Sequence, residues 1–377
     1  MKHTACVVML AVLSITGLAA AQLSAERRAA FEAAPKLETS VSGVHAFTAP
    51  PKDFDPLTAT NQELWQYGLP EPPDKTADPR GYAVWERAML ALRFHATDVH
   101  QSNFSHRPAE IIGKAQTVSN GPSANSSPNW SGMVSTNTNK VWNNKTSFDK
   151  VESIWNVPAA QPPFSAPNKD GPIWSVSNWN GIDGWGTDTL VQGGTNSIYQ
   201  SAVGSTYVGW VEWWPSYAEI VIDCSKSAAC PVYPGDDFYT ITYGAAGTIE
   251  QYVYDEDLTT GWYGTFGMTF KSGVGVLGAS AEYITERPCC VTVSGKNYYY
   301  PLANYIYDFF DYSFAYDGAG TLFYPGSTST RTYLVTMTAD DGTTDISYPT
   351  AGTSGYQGKY SIWFADENCA YTKGCTY

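Results

Sequence analysis

Histidine is absent from most of this chain. All five, His3, His45, His95, His100 and His106, fall in the first third of the 377 residues. Chemistry carried by residues 121–377 therefore cannot use imidazole as base or metal ligand. Charge is also scarce, at 15% of residues, and lopsided: residues 1–120 hold 11 Lys+Arg and 12 Asp+Glu, the remainder 11 and 24, so the net charges are −1 and −13. That acidic excess excludes a nucleic-acid-backbone binder. No CxxC or HxxxH spacing exists, so no metal and no cofactor is expected. After the first 21 residues no apolar run approaches the roughly 20 residues that a membrane-spanning helix needs, so no membrane partner is expected. Aromatic residues, by contrast, make up 14% of the chain, which excludes disorder.

Lys2 and His3 precede an apolar run from Ala5 to Ala19, and Ala19-Ala20-Ala21 offers small residues for cleavage. Residues 1–21 read as a signal peptide and the mature protein as secreted and extracellular. Cys6 leaves with the signal. Of the other six cysteines, the short spacings pair Cys224 with Cys230 and Cys369 with Cys375, whereas a bridge between the neighbours Cys289 and Cys290 would be strained. Sequons at Asn103, Asn125, Asn129 and Asn144 permit glycosylation.

Residues 22–120 have a helical, charged texture. Ser24 is positioned to cap a helix ending before Pro35, and Tyr82, Trp85, Met89 and Leu92 recur at helical spacing. The stretch "AQTVSNGPSANSSPN", within a linker at about 115–129, reads as exposed. Residues 121–377 instead alternate, as in "FYTITY" (238–243), "TYLVTMT" (332–338) and "YSIWF" (360–364), between Gly and Asp-Gly turns. This is an all-β pattern, a sandwich or barrel, preceded by a partly helical prosegment. "ADDGTTD" (339–345) reads as a hairpin turn and "DED" (255–257) as a solvated loop.

Four segments could carry chemistry: "NWSG" (129–132), "WNGIDG" (179–184) followed by "LVQGG" (190–194), "WVEWWP" (210–215) and "AEYITERP" (281–288). In a strand, Trp210, Glu212 and Trp214 share one face, and Glu282 shares another with Glu286. Glu282 and Glu286 are four strand steps apart, roughly 13 Å, too far to share a proton, so any catalytic partner comes from another strand. Taken alone, these glutamates and Gln192 also fit solvated surface positions. Amide hydrolysis needs a base to activate water and a donor for the oxyanion. Here the base available is a carboxylate, and a carboxamide can be the donor.

The ordered motifs resemble the glutamic peptidases, or eqolisins, over about residues 126–310. The resemblance implies a β-sandwich of two antiparallel sheets, an acid endopeptidase secreted as a proenzyme, polypeptide substrates, and the prosegment as inhibitor. It carries the catalytic pair onto Gln192 and Glu286, and residues lining or supporting the cleft onto Trp130, Trp179, Asp183, Trp210, Glu212 and Trp214. The protein is expected to be a monomer. The sequence departs from the family at Trp214, where the best-known members have tyrosine, and the aromatic stretch from Tyr298 to Tyr316 reads as an insertion over the cleft. Two alternatives share the fold: a glycoside hydrolase using Glu212 and Glu286 about 5 to 5.5 Å apart, or a lectin-like binding module. The prosegment histidines would gain charge as pH falls through about 6.5 and loosen the prosegment.

Overall fold

The computed structural model describes residues 22–116, 123–137, 147–163, 173–225, 228–244, 246, 248–271, 275–326, 330–350 and 360–365. The expected signal peptide, the Asn144 sequon and the expected Cys369–Cys375 bridge lie outside them.

Period-two alternation does build two antiparallel layers. In the first, the order runs Thr330–Thr338, Trp130–Asn137, Ser280–Glu286, Trp174–Asp183, Leu190–Gln200, Gly204–Trp214, Ile220–Ser225. In the second it runs Tyr360–Phe364, Tyr307–Asp317, Phe148–Asn156, Asp237–Tyr243, Glu250–Asp257, Trp262–Thr269. Asp345–Pro349 joins the layers by pairing with Thr330–Thr338 and Tyr360–Phe364. Between the layers lie Val151, Trp155, Val176, Ile182, Val191, Val211, Trp213 and Val253, all fully buried. Because neighbours on a strand point to opposite faces, Val211 and Trp213 enter this core while Trp210, Glu212 and Trp214 face away from it.

The N-terminal segment extends both layers. Asp98–Gln101 pairs antiparallel with Ile220–Ser225 at the edge of the first, and Val44–Phe47 with Trp262–Thr269 at the edge of the second. Its helices, residues 22–33, Asn61–Gln66 and Pro79–Ala91, cover the outer face of the second layer. There Phe31, Phe47, Trp65, Trp85 and Met89 pack against Tyr239, Tyr243, Tyr252, Tyr254, Tyr312 and Phe314. Arg27 adds buried ion pairs to Glu71 at 2.7 Å and Asp149 at 3.3 Å. Asp78 and Thr60 cap their helices through backbone N–H groups, with a capping box from Thr60 to Glu63.

Several sequence expectations need correction. Ser24 lies inside its helix, and its hydroxyl donates to Asp149 rather than capping. The "DED" triplet is the buried end of the Glu250–Asp257 strand, with burial raising all three carboxyls, and is not a solvated loop. Only the start of the aromatic stretch lies near the cleft, where Tyr300 packs on Phe104 at 4.5 Å; the rest is no insertion, since Tyr307–Asp317 is a strand of the second layer, with Phe310 and Ala315 in the core. Part of the expected linker is ordered, since Ser123–Ser127 pairs with Thr330–Thr338, and Ser127 and Asn129 are fully buried because they satisfy each other at 2.7 Å. Residues 339–345 form the expected turn, where Asp341 accepts from the Thr343 and Thr344 N–H groups. Cys224 and Cys230 are bridged as expected, and Cys289 and Cys290, set aside on strain, are also joined.

Candidate active site

One face of the first layer gathers the motifs. Across its strands, Glu286 pairs with Ser177 and Ser177 with Asn196; Ile284 pairs with Trp179, Trp179 with Gly194 and Gly194 with Trp210; Gly181 pairs with Gln192 and Gln192 with Glu212. Gly194 and Gly181 keep this face low between taller side chains. A Cβ at Gly194 would lie 2.1 Å from the Asn178 carbonyl oxygen, so only glycine fits there.

An extended piece of the N-terminal segment, residues 102–110, lies across the face. Backbone pairing holds it on both sides: the Ser102 N–H donates to Glu219 at 3.0 Å and the Glu219 N–H to Phe104 at 3.2 Å, Ser105 exchanges two bonds with Cys289, and the Ala109 N–H donates to Gly184 at 3.0 Å. At its centre the His106–Arg107 peptide bond is gripped from both ends. Gln192 Nε2 donates to the His106 carbonyl oxygen at 2.9 Å, and the Arg107 N–H donates to Glu286 Oε1 at 3.3 Å. The His106 N–H donates to both oxygens of Glu212, at 3.1 and 3.0 Å.

The His106 ring is fully buried. It stacks on Trp210 with centroids 3.8 Å apart and planes 9° from parallel. Its Nδ1 lies 3.1 Å from Glu286 Oε2 and its Nε2 lies 2.9 Å from Glu219 Oε2. Burial alone would push the imidazole down, but hydrogen bonds to Glu219 and Glu286 outweigh it and raise it to about 10. His106 is thus an imidazolium from acid through neutral pH, and the expectation that it gains charge near 6.5 does not hold. His95 moves the other way: burial pushes it down to about 4, and neither ring nitrogen has a partner among the described residues.

Glu286 is also fully buried, which raises its carboxyl, opposed by His106, the Trp179 indole and the Arg107 N–H. Trp179 Nε1 donates to Oε2 at 2.8 Å, and Asn129 Nδ2 donates to Oε1 at 3.5 Å. Burial raises Glu212 well above the usual carboxylate range, opposed by the His106 charge and the His106 N–H.

Of the sequence-predicted residues, the structure therefore brings Gln192 and Glu286 to one peptide bond, with Glu212 on the N–H of the peptide before it, Trp179 on Glu286 and Trp210 on the His106 ring. Trp130 stands behind them, packed edge-on against Trp179 at 4.9 Å, and Trp214 lies under the Arg107 guanidinium at 5.0 Å. Asp183 is elsewhere: its carboxylate accepts from the Leu277 and Ala279 N–H groups at 2.6 and 2.7 Å, and it shapes that loop rather than touching residues 102–110. Neither Glu282 nor Glu286 is a solvated surface group. Sequence reasoning missed Glu219, Asn196 and the role of Asn129. Asn129 opens the "NWSG" motif and was visible there, whereas Glu219 is a lone carboxylate just before a strand and carried no signal. Among the described residues no cluster of three or more metal-ligating side chains occurs, and no helix is long and apolar enough to cross a membrane.

A two-layer sandwich that lays an extended chain across one face, with a carboxamide on the carbonyl and a carboxylate on the following N–H, has the form of a peptide-bond hydrolase. The model of the Peptidase A4 family matches residues 128–353, more than half of the chain, and the chain belongs to that family, the glutamic endopeptidases. It is similar to solved scytalido-glutamic peptidase bound to a peptide-based transition-state analogue, with 18% identity, covering 63% of this chain and 98% of that one, at a TM-score of 0.47. It is also similar to SCP-B of the eqolisin family in complex with the tripeptide Ala-Ile-His (19%, 63% and 98%, 0.46) and to aspergilloglutamic peptidase from Aspergillus niger (18%, 51% and 99%, 0.39). No curated protein matches the chain.

Proposed function

We propose that the protein is a secreted acid endopeptidase in which Glu286 is the base and Gln192 the oxyanion donor, with residues 102–110 as its own inhibitor. The observation that carries this reading is the His106–Arg107 bond, its oxygen on Gln192 Nε2 at 2.9 Å and its N–H on Glu286 Oε1 at 3.3 Å. On a substrate in that register, Glu286 takes a proton from water as the water oxygen attacks the carbonyl carbon. The carbonyl oxygen becomes an oxyanion that accepts from Gln192 Nε2. As the C–N bond breaks, Glu286 returns the proton to the departing amine nitrogen that Oε1 faces.

The same geometry supports inhibition by the bound segment. A carboxylate offers about four lone-pair sites, and those of Glu286 are occupied by Arg107 and Asn129 on Oε1 and by Trp179 and His106 on Oε2. No site is left to orient water. With no histidine after residue 106, a carboxylate base and a carboxamide that does not titrate suit acidic conditions. A sugar hydrolase gives the Gln192–carbonyl contact no role, and a lectin-like module gives none to a saturated base. The test is hydrolysis of a denatured protein by the full chain at acidic and neutral pH with pepstatin present. Glu286→Gln should abolish it, and turnover surviving in that variant refutes the assignment.

A further inference from the structure

We infer that Glu219 selects the side chain next to the cleaved bond, and that the enzyme prefers substrates with a cationic ammonium side chain on the carbonyl side. This rests on the catalytic reading above, because the position of His106 relative to Gln192 and Glu286 defines that subsite. The subsite is the space the His106 ring fills: Trp210 is its wall at 3.8 Å, and Glu219 Oε2 its end at 2.9 Å from Nε2.

The partners of Glu219 show what the site lacks when residues 102–110 withdraw. Its side chain is 1% exposed, and its oxygens accept from Ser102 Oγ at 2.5 Å, His106 Nε2 at 2.9 Å and Asn196 Nδ2 at 2.9 Å. Two of those three donors belong to the withdrawing segment, and Asn196 alone stays. A recessed carboxylate left two donors short favours an incoming group that brings charge and N–H together. Trp210 adds a face on which a cation or a flat ring can rest. An apolar side chain would satisfy the indole but leave Glu219 with Asn196 as its one donor and its charge uncompensated, which is the condition under which a polar site discriminates most strongly. Glu219 is fixed from both ends: its N–H donates to Phe104 in the bound state, and Ile220 just after it pairs with Val211 in the sheet.

The test compares two peptides, identical except for lysine or norleucine at the residue donating the scissile carbonyl, cleaved by the acid-treated full chain. Lysine is used because an imidazole there would also occupy Glu286 Oε2, as His106 does. The kcat/KM ratio of lysine to norleucine should be about 10-fold or more, carried mainly by KM, and Glu219→Gln should bring it close to one. A wild-type ratio near one overturns the inference even if the variant fails to fold, and so does a folded variant that keeps the wild-type ratio. Glu286→Gln, run in parallel, separates the two readings: cleavage that needs Glu286 but ignores the lysine overturns only the preference, whereas cleavage that survives without Glu286 overturns both.

Discussion

Replacing His106 with alanine should release the cleft in the intact chain. Its imidazolium serves Glu219 and Glu286 together while stacked on Trp210, and it rises from 6.5 to about 10 there. At about 1.36 kcal/mol per pH unit that rise corresponds to about 5 kcal/mol. Breaking a buried ion pair by removing one partner costs about 3 to 5 kcal/mol. The lower figure is the safer one, because water will reach the carboxylates once the ring is gone. The equilibrium between occupied and open cleft should therefore shift by roughly 10²- to 10⁴-fold. The sign with pH follows from the raised value: this stabilisation is complete below about 6.5 and fades as pH rises through about 10. The gap between variant and wild type should hold from acid to neutral and shrink under alkaline conditions. The assay is hydrolysis of a fluorogenic peptide by the intact chains near pH ~6, with circular dichroism and thermal unfolding to establish that the variant is folded. A folded His106→Ala chain as latent as wild type would refute the reasoning, since no other part of residues 102–110 reaches two buried carboxylates through one side chain.

Gln192→Ala should lower kcat by about 10²- to 10³-fold, the usual loss of about 2.7 to 4 kcal/mol for one oxyanion donor, with a smaller change in KM; near-normal turnover in a folded variant would contradict it. His95 is buried with both nitrogens unpartnered and is pushed down to about 4, so docking of its segment should weaken as pH falls from about 6.5 toward 4, by at most about 3 kcal/mol. The titratable group packed against it on the Trp262–Thr269 strand is Tyr263, which burial raises to about 12. His95→Leu should move the midpoint of acid activation to lower pH, and an unchanged midpoint would sink the idea. Cutting the chain within residues 117–122 should leave 22–116 attached, because that segment supplies strands to both layers and covers the tyrosines of the second; size-exclusion chromatography in native buffer should show co-elution, and separation into two species would count against it.

The legible part of the molecule was the part written in period two. Alternation in "WVEWW" puts Trp210, Glu212 and Trp214 on one face and Val211 and Trp213 on the other, and the structure shows that the second face is the one in the core. The pairing of Gln192 with Glu286 was not legible in alternation and came from the family resemblance alone. Which way Asp183 points was not legible because its motif says nothing about φ: at 73° the chain turns there and aims the carboxylate at Leu277 and Ala279. The "DED" triplet was misjudged because three acids in a row read as solvated, whereas Thr240 and Tyr254 hydroxyls and the Thr259 and Thr260 N–H groups give them partners inside the sheet.

The contact between the two halves of the chain could not be read at all, and that contact holds the most chemistry. Glu219 and His106 are 113 positions apart, on segments whose composition and periodicity differ, and neither stands in a motif. They meet because Asp98–Gln101 completes the edge beside Ile220–Ser225, with Gln101 opposite Ile220. The next residues of each segment are then carried past one another in the same antiparallel sense, Ser102 against Glu219, and the chain beyond has to cross the row formed by Gly194 and Trp210. Edge pairing thus fixes which side chain enters the subsite. A one-residue slip in that register would turn His106 away from Trp210 and put its neighbour there instead. The absence of histidine from residues 121–377 and the presence of a buried imidazolium beside Glu286 are therefore two sides of one arrangement: among the described residues, the imidazole that reaches Glu286 is delivered by the segment that lies across its face.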